Sequence, residues 1–577
     1  MIKMRRLILF CCCLYLLWCV DVTIGKANDF EHRREQLLEM LTSPAMLEGD
    51  IDSLGYSYRR RWQHYHACLA HRVNLEAANR YFAESDEIIA EEWQILLFLR
   101  TYFSFKESGL NKAARKRLAD VIQSYKVNAP NSRGIERYGV KGNHSIVAFS
   151  MYLLCDQEFG HGPKHDLVRE KFIEWVRHQG RFGRDEVNSP HYLERSLLPL
   201  LNLYDFIEDR TLKRWSRMAI DQMMMDFALL SLDNVRGGPW CRAHHHHSPG
   251  VEEINNGTQD SFYVAGYLYF GGSAFPSYPF TDQILSYGFL VTTFYRPPPA
   301  VLHLAQAANR GAYEVRSHRS PVKGSLLTSR QEWDMYYYMT PRYCLAALQD
   351  RMELDNHLTN RATKPADYVN TQVWELTFSD PMKILGPKRR LDVSTSGKAP
   401  RSESDNPNTA NMQYRNVLFY KGEFMDYNGN LSSSGGAYHT KSAESKAFHF
   451  WHVQTPEGPV FVGATHFPSA RAGILEIRLG DDYPTFKAFT EDIEDNFSIC
   501  QDTGLQTTYL STVGDRIQYE HGKATVNGKD WPLHDYKLYE SPYIQSDLGS
   551  GVIEITQGTK SLNLDFRNKD KPVRVER

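Results

Sequence analysis

The sequence predicts an α+β multidomain chain, with a helix-rich part first and a C-terminal part of antiparallel strands. Three observations carry this reading. The N-terminus is charged and then apolar, apolar residues recur at helical spacing from about 30 to 380, and short alternating segments follow after about 385. The expected divisions are a signal over 1–25, a helical catalytic domain over 26–385, a linker or long loop over 386–410, and an antiparallel β domain over 411–577.

The signal comes first. Lys3, Arg5 and Arg6 precede the apolar run LILFCCCLYLLWCV at 7–20, the pattern of a signal h-region. Thr23 and Gly25 supply small residues at −3 and −1 of a cut after Gly25, which predicts cleavage there and a secreted or periplasmic location. Trp18 before Cys19 is too bulky for a lipid-attachment box. No later stretch reaches the ~18 apolar residues of a second span, so no membrane association is expected after cleavage.

The helical part follows from periodicity. In RTLKRWSRMAIDQMMMDFALL (210–230), Leu212, Trp215, Met218, Ala219, Met223, Phe227 and Leu230 mark one wide apolar stripe, and Met223 to Met225 read as core. Similar patterns cover 72–84, 90–105, 111–125, 143–154, 165–178, 190–207 and 259–270. Short connections make these antiparallel helix pairs, and the absence of a strict repeat favours a closed ring of hairpins over a regular solenoid.

Alternation identifies the strands NVLFYKGEFMDY (416–427), AFHFWHVQT (447–455), GPVFVGATHF (458–467), GILEIRL (473–479) and GVIEITQG (551–558). Asn428-Gly429 and Asn527-Gly528 are the expected hairpin turns. The polar stretch 387–410 reads as linker or loop.

Composition narrows the function. A net charge of −2 on 577 residues gives no reason to expect a nucleic-acid partner. Cys68, Cys155, Cys241, Cys344 and Cys500 remain after the signal, too scattered for a disulfide scaffold. The 33 tyrosines and 10 tryptophans exceed what a core requires, and sugar clefts use such rings.

Three segments gather ionisable residues where helices begin. Asn143 and His144 open a helix after Tyr138-Gly139-Val140-Lys141-Gly142, where the dipole favours an anion, although Asn143 as a simple cap is the plainer alternative. Asn143-His144-Ser145 is also one of four glycosylation sequons, with Asn256, Asn430 and Asn496. In Asn188-Ser189-Pro190-His191-Tyr192, Ser189 is the expected cap and Pro190 the first helical residue, leaving His191 and Tyr192 in the first turn. A histidine there is kept neutral and available as a base, or is simply a hydrogen-bonded structural residue. The third segment, Gly237 to Pro249, reads as a loop carrying Trp240, Arg242 and four histidines from His244 to His247. Adjacent histidines point in different directions and lack zinc-ligand spacing, while the Arg242 fork suits a carboxylate. No Walker loop, dinucleotide fingerprint, G-x-S-x-G elbow or HExxH is present, and no acidic pair stands out as a glycosidase pair.

Together GNH, NSPHY followed by LLPLLNLYDF, GGPWCRA, YYYMTPRYCLAALQDR (336–351), QVWELTFSD (372–380) and NTANMQYRNVLFYKG (408–422) resemble the helical-toroid polysaccharide lyases, the group of alginate, glucuronan, heparin and chondroitin lyases. The resemblance spans most of the mature chain. It implies an N-terminal (α/α) toroid, an incomplete helical barrel, followed by a C-terminal antiparallel β-sandwich. It further implies β-elimination on an anionic, uronic-acid-containing polysaccharide with no required cofactor; a structural metal ion stays open but is not indicated. Asn143, His144 and Arg242 correspond to the carboxylate-neutralising set, His191 and Tyr192 to base and acid, and Tyr138, Trp240 and His244 to substrate binding. A tyrosine is expected shortly after the loop arginine, but His244 to His247 stand there instead. His247, Tyr263 or Tyr192 then supplies the acid, or lyase activity is lost. The alternatives of another class are a glycoside hydrolase on a helical toroid and a noncatalytic glycan-binding surface protein.

Overall fold

The computed structural model describes residues 29–48, 57–128, 142–160, 162–184, 187–189, 192–232, 234–239, 262–271, 286–306, 309–319, 333–351, 372–379, 390–394, 410–421, 437–443, 446–467, 472–498, 501–502, 506–520 and 522–577. Helices occupy the first half. They are α1 (29–42), α2 (Ser57–His71), α3 (Leu75–Glu84), α4 (Glu92–Phe105), α5 (Lys112–Asn128), α6 (Gly142–Phe159), α7 (His165–Phe182), α8 (Tyr192–Phe206), α9 (Arg210–Leu230), α10 (Tyr263–Phe270), α11 (Ser286–Thr292) and α12 (Pro299–Ala305).

Local chemistry explains where they start and which face they bury. Asp209 accepts from the amides of Thr211 and Leu212, so two orphan N–H groups are satisfied and α9 begins cleanly. Its apolar stripe is buried from Leu212 to Leu230, and Met223 to Met225 lie in the core as the spacing predicts. α8 is buried almost all round because α4, α6, α9 and α11 surround it. Its internal Pro199 has no N–H to donate to the preceding turn, and its own carbonyl accepts from Ser150 Oγ of α6 at 3.0 Å.

A two-residue hairpin, β1 (Ser231–Leu232) and β2 (Val235–Arg236), follows α9. The longer strands begin at Tyr313, far earlier than expected: β3 (Tyr313–Arg319), β4 (Trp333–Met339), β5 (Tyr343–Leu348), β6 (Asp350–Arg351), β7 (Gln372–Phe378) and β8 (Arg390–Ser394). The helical reading up to about 380 is therefore corrected, and β8 stands inside the stretch read as linker. The reason is burial on both faces. β5 is buried at every position, so its sequence YCLAAL shows no alternation to read.

The remaining strands are β9 (Ala410–Tyr414), β10 (Val417–Lys421), β11 (Ala437–Ala443), β12 (Lys446–Thr455), β13 (Gly458–Phe467), β14 (Ala472–Leu479), β15 (Gln501–Asp502), β16 (Gln506–Leu510), β17 (Arg516–Glu520), β18 (Lys523–Val526), β19 (Lys529–Trp531), β20 (Tyr539–Glu540), β21 (Ile544–Ser546), β22 (Val552–Gln557), β23 (Lys560–Asp565) and β24 (Val573–Glu576). Helix α13 (Phe486–Ser498) lies between β14 and β15. Asn527 and Gly528 both take positive φ between β18 and β19, the hairpin turn the Asn-Gly pair predicts. Asn428-Gly429 lies outside the described residues.

Three larger antiparallel sheets result. One runs β24-β23-β22-β21-β20-β3-β4-β5-β7-β8, the second β11-β12-β13-β14-β10-β9-β6, and the third is the meander β15 to β19. Alternation along β12 divides its side chains between two cores: Trp451 and Val453 join the one shared with the helices and the ten-stranded sheet, while Phe448 and Phe450 face α13 and the meander.

Helices and large sheet are pinned together directly. Arg177 of α7 donates to the Phe566 carbonyl after β23, and the Tyr313 hydroxyl donates to the Leu229 carbonyl at the end of α9. Asp221 of α9, wholly buried, receives Arg217, Arg574 of β24 and the Tyr295 hydroxyl. Cys68, Cys155 and Cys344 are buried free thiols; Cys241 and Cys500 lie outside the described residues.

Candidate active site

Ser189 caps α8 as the sequence predicts, while Pro190, read as the first helical residue, lies outside the described residues. Ser189 Oγ accepts from the Tyr192 amide at 3.2 Å, and the Ser189 carbonyl accepts from Leu193. Just before it, Asn188 sits in the left-handed region at φ 51°, a conformation asparagine tolerates better than most residues. That turn aims its amide away from the helix. Nδ2 donates to the Pro239 carbonyl at 3.1 Å and to the Tyr337 hydroxyl of β4 at 2.8 Å. Two segments marked in the sequence, NSPHY and the start of GGPWCRA, thus meet on the central sheet.

The loop entry is held from its other side as well. The Gly238 amide donates to buried Glu375 of β7 at 3.2 Å. Gly237 passes so close to Cys344 that a Cβ would stand 2.5 Å from its sulfur, which only glycine permits without a shift. Burial pushes the Tyr337 phenol above its usual range, with Arg319 nearby opposing the shift.

A second group of side chains forms where the first turns of four helices meet. α2 contributes Tyr58 and Arg59, α4 Glu92 and Trp93, α6 Asn143 and His144, and α8 Tyr192, Glu194 and Arg195. Glu92 Oε1 lies 3.1 Å from His144 Nδ1, and since a carboxylate can only accept, Nδ1 carries the proton of this contact. The His144 ring packs against Trp93 at 5.5 Å, and the Arg195 guanidinium stands over the same indole at 4.6 Å. Arg59 Nε donates to the Tyr58 hydroxyl at 3.0 Å. Burial, and then the Arg59 charge, push Arg195 down to about 10, while Glu194 pulls the other way.

Asn143 is only 3 % exposed, and its Nδ2 meets no hydrogen-bond acceptor among the described residues. A buried amide donor left this way costs free energy until an acceptor arrives. Asn143 lies inside the first turn of α6, one residue after its start at Gly142, and not at the cap position. Its burial also takes the Asn143 sequon out of reach of glycosylation in the folded chain. Helix starts direct N–H groups and positive dipole ends into such a site, so the arrangement suits an anion.

The structure thus brings Asn143 and His144 into one helix-start cluster with α8, whose first-turn residue Tyr192 acts on Arg195 electrostatically. Tyr263 is buried at the start of α10, where its neighbour Phe262 lies beneath Arg236. Arg236 in turn acts on the Tyr337 phenol, which connects that corner to Asn188. Tyr138, His191, Trp240, Arg242, His244 and His247 lie outside the described residues. Arg59, Trp93, Arg195 and Tyr337 escaped the sequence reading. Arg195 in LERSLL looks like one polar position on an amphipathic helix, and nothing in the chain's order announces that Trp93 lies beneath it.

Among the described residues no group of three or more His, Cys, Asp or Glu side chains is arranged to hold a metal ion. Comparison with models of known protein families returned no match, and comparison with curated proteins returned none either.

Proposed function

We propose that this protein is an exported polysaccharide lyase that cleaves a uronic-acid-containing polysaccharide by β-elimination. One observation carries the reading: Asn143, His144 and the start of α8 share one helix-start cluster, while Asn188 ties the stretch leading to His191 and Tyr192 to the loop leading to Arg242. Residues far apart in the chain gather where an anionic sugar would be met.

The chemistry needs such a gathering. The C5 proton of a uronate is weakly acidic while the carboxylate carries its charge, so the site must neutralise that group as enolate character develops. Asn143 and Arg242 take this role, with His144 beside them. His191 removes the C5 proton, the electron pair of that bond forms the C4=C5 double bond, and the C4–O bond breaks. Tyr192 protonates the departing oxygen. His247 and Tyr263 are the alternative acids, and Tyr138, Trp240 and His244 are assigned to substrate binding.

In this reading the helices form an incomplete (α/α) toroid, and the ten- and seven-stranded sheets form a β-sandwich closing one side of the cleft. The signal, cut after Gly25, delivers the chain to a place where large glycans occur. Among the described residues no helix is long and apolar enough to cross a membrane. No cofactor is required.

The test is an ultraviolet assay for the new double bond against alginate, glucuronan, pectate and sulfated glycosaminoglycans. Asn143→Ala, His191→Ala and Arg242→Ala are each expected to abolish the signal. Reducing ends without the double bond would instead identify a glycoside hydrolase. Retention of polymer without any cleavage would identify a noncatalytic glycan-binding protein.

A further inference from the structure

Asp334 and Asp350 are buried carboxylates on two different sheets, and each divides its oxygens in the same way. Asp334 Oδ1 on β4 accepts from His318 Nδ1 of β3 at 2.8 Å and from the Tyr536 amide at 3.3 Å. Asp350 Oδ1 on β6 accepts from the Gly522 amide at 3.0 Å and from the Tyr519 hydroxyl of β17 at 3.3 Å. Their second oxygens face one histidine. His534 Nε2 lies 2.8 Å from Asp350 Oδ2, and its Nδ1 lies 3.5 Å from Asp334 Oδ2. A neutral imidazole has a single N–H, so a carboxylate on each nitrogen is met by a donor only while the ring carries both protons. The His534 side chain is 50 % exposed, which lets water take and return that proton.

The position gives the contact its reach. Asp350 stands where the chain leaves β5 of the ten-stranded sheet for β6 of the seven-stranded one, and His534 lies on the connection from the meander back to β20. One ring therefore joins all three sheets. Asp350 and Asp535, the residue after His534, both take positive φ, at 56° and 60°, conformations that cost free energy unless surrounding contacts hold them. The other groups at this corner have settled states. His318 is turned to Asp334, Arg316 of β3 is paired with Glu540 and stands over the Trp531 ring at 4.8 Å, and burial pushes the Tyr519 and Tyr536 phenols up. The Trp531 indole also donates to the Gln413 carbonyl of β9, a tie between meander and seven-stranded sheet that carries no charge.

We propose that His534 is a proton-operated latch that seats the outer edge of the β15–β19 meander on the two larger sheets. It is fast while the ring bridges both carboxylates and loosens when one proton leaves, with the uncharged tie and the apolar core keeping the meander attached. Its contribution is thus present at low pH and lost as pH rises. The latch is independent of the elimination chemistry and of any glycan.

The experiment is hydrogen–deuterium exchange of the full mature chain, resolved by mass spectrometry from about pH 5 to about pH 8, the range in which histidines ordinarily change charge. Rates are corrected for intrinsic exchange at each pH. Protection over 518–538 is expected to fall by up to about five-fold as pH rises, the scale of one half-exposed ion pair, while α9 over 210–230 stays constant. His534→Gln is expected to show the loosened level at every pH. His534→Arg, charged throughout, is expected to keep the seated level to the top of the range. His318→Gln is expected to retain the response, since its ring does not bridge the sheets. A wild-type meander whose protection does not change with pH overturns the proposal, as does a response that survives in His534→Gln or disappears in His318→Gln. Should His534→Gln fail to fold, His534→Arg decides alone: a response as large as that of the wild type overturns the latch.

Discussion

Asn188 Nδ2 lies 2.8 Å from the Tyr337 hydroxyl, and this contact fixes the start of α8 to the large sheet at the edge of the proposed site. Because Asn188 also holds the Pro239 carbonyl, one amide sets the position of two loops. Asn188→Gly keeps the left-handed backbone and removes only the amide, whereas Asn188→Ala adds strain of roughly 1 kcal/mol at positive φ. Both are expected to lower cleavage more than ten-fold. Thermal melts should show Ala below Gly, and equal melts would exclude the backbone contribution. Tyr337→Phe should cost about 1 kcal/mol through the lost hydrogen bond.

Asp221 concentrates the tie between α9 and the last strand. It is buried against Arg217 at 3.0 Å and Arg574 at 2.6 Å, with the Tyr295 hydroxyl at 2.8 Å. Removing one partner of such a group leaves charge buried without compensation, which typically costs about 3–5 kcal/mol. Asp221→Asn is expected to destabilise by that order in chemical denaturation. Deleting the strand that carries Arg574 should do the same, and a neutral outcome for both would show that apolar packing alone holds the C-terminus.

At Gly180 two opposed effects can be weighed. Alanine inside a helix ordinarily gains close to 1 kcal/mol over glycine. Here the new Cβ would stand 2.3 Å from Cγ of Phe566, a buried ring that also faces Trp215 of α9. Overpacking of this kind costs about 1–3 kcal/mol, so the clash wins. Gly180→Ala should lower the melting temperature, and adding Phe566→Leu should recover part of the loss.

Asp209 supplies a prediction with a pH sign. Burial alone would raise its pKa, but hydrogen bonds from Arg169 and from the Leu212 and Thr211 amides hold it below the usual carboxylate range. A depressed folded value means that the stabilisation is complete above the unfolded pKa near 3.9 and is lost as pH falls through the folded value. Asp209→Ala should therefore cost about 1 kcal/mol at neutral pH, as capping losses do, and progressively less below about pH 4. A constant difference across that range would show that the cap does not depend on the charge.

Where one face of an element met water, the order of residues was enough to read it. The spacing of α9 from Leu212 to Leu230, the Ser189 cap and the Asn527-Gly528 turn are all local, and each appears where expected. Where both faces were buried, local reading failed. YCLAAL in β5 and WDMYYYM in β4 carry almost no alternation, and only their ladder partners distinguish them from buried helix.

The site divides in the same way. By itself the sequence determined that Asn143, His144 and Tyr192 stand at helix starts, because caps and apolar periods are set within a few residues. That Arg195 rests on Trp93, that Arg59 bears on it, and that Asn188 reaches Tyr337 was decided only by tertiary structure. These partners are separated by up to 149 residues along the chain. Contacts at that range depend on which helix faces pack against which sheet, a choice made by the burial of whole surfaces and not by any residue's immediate neighbours.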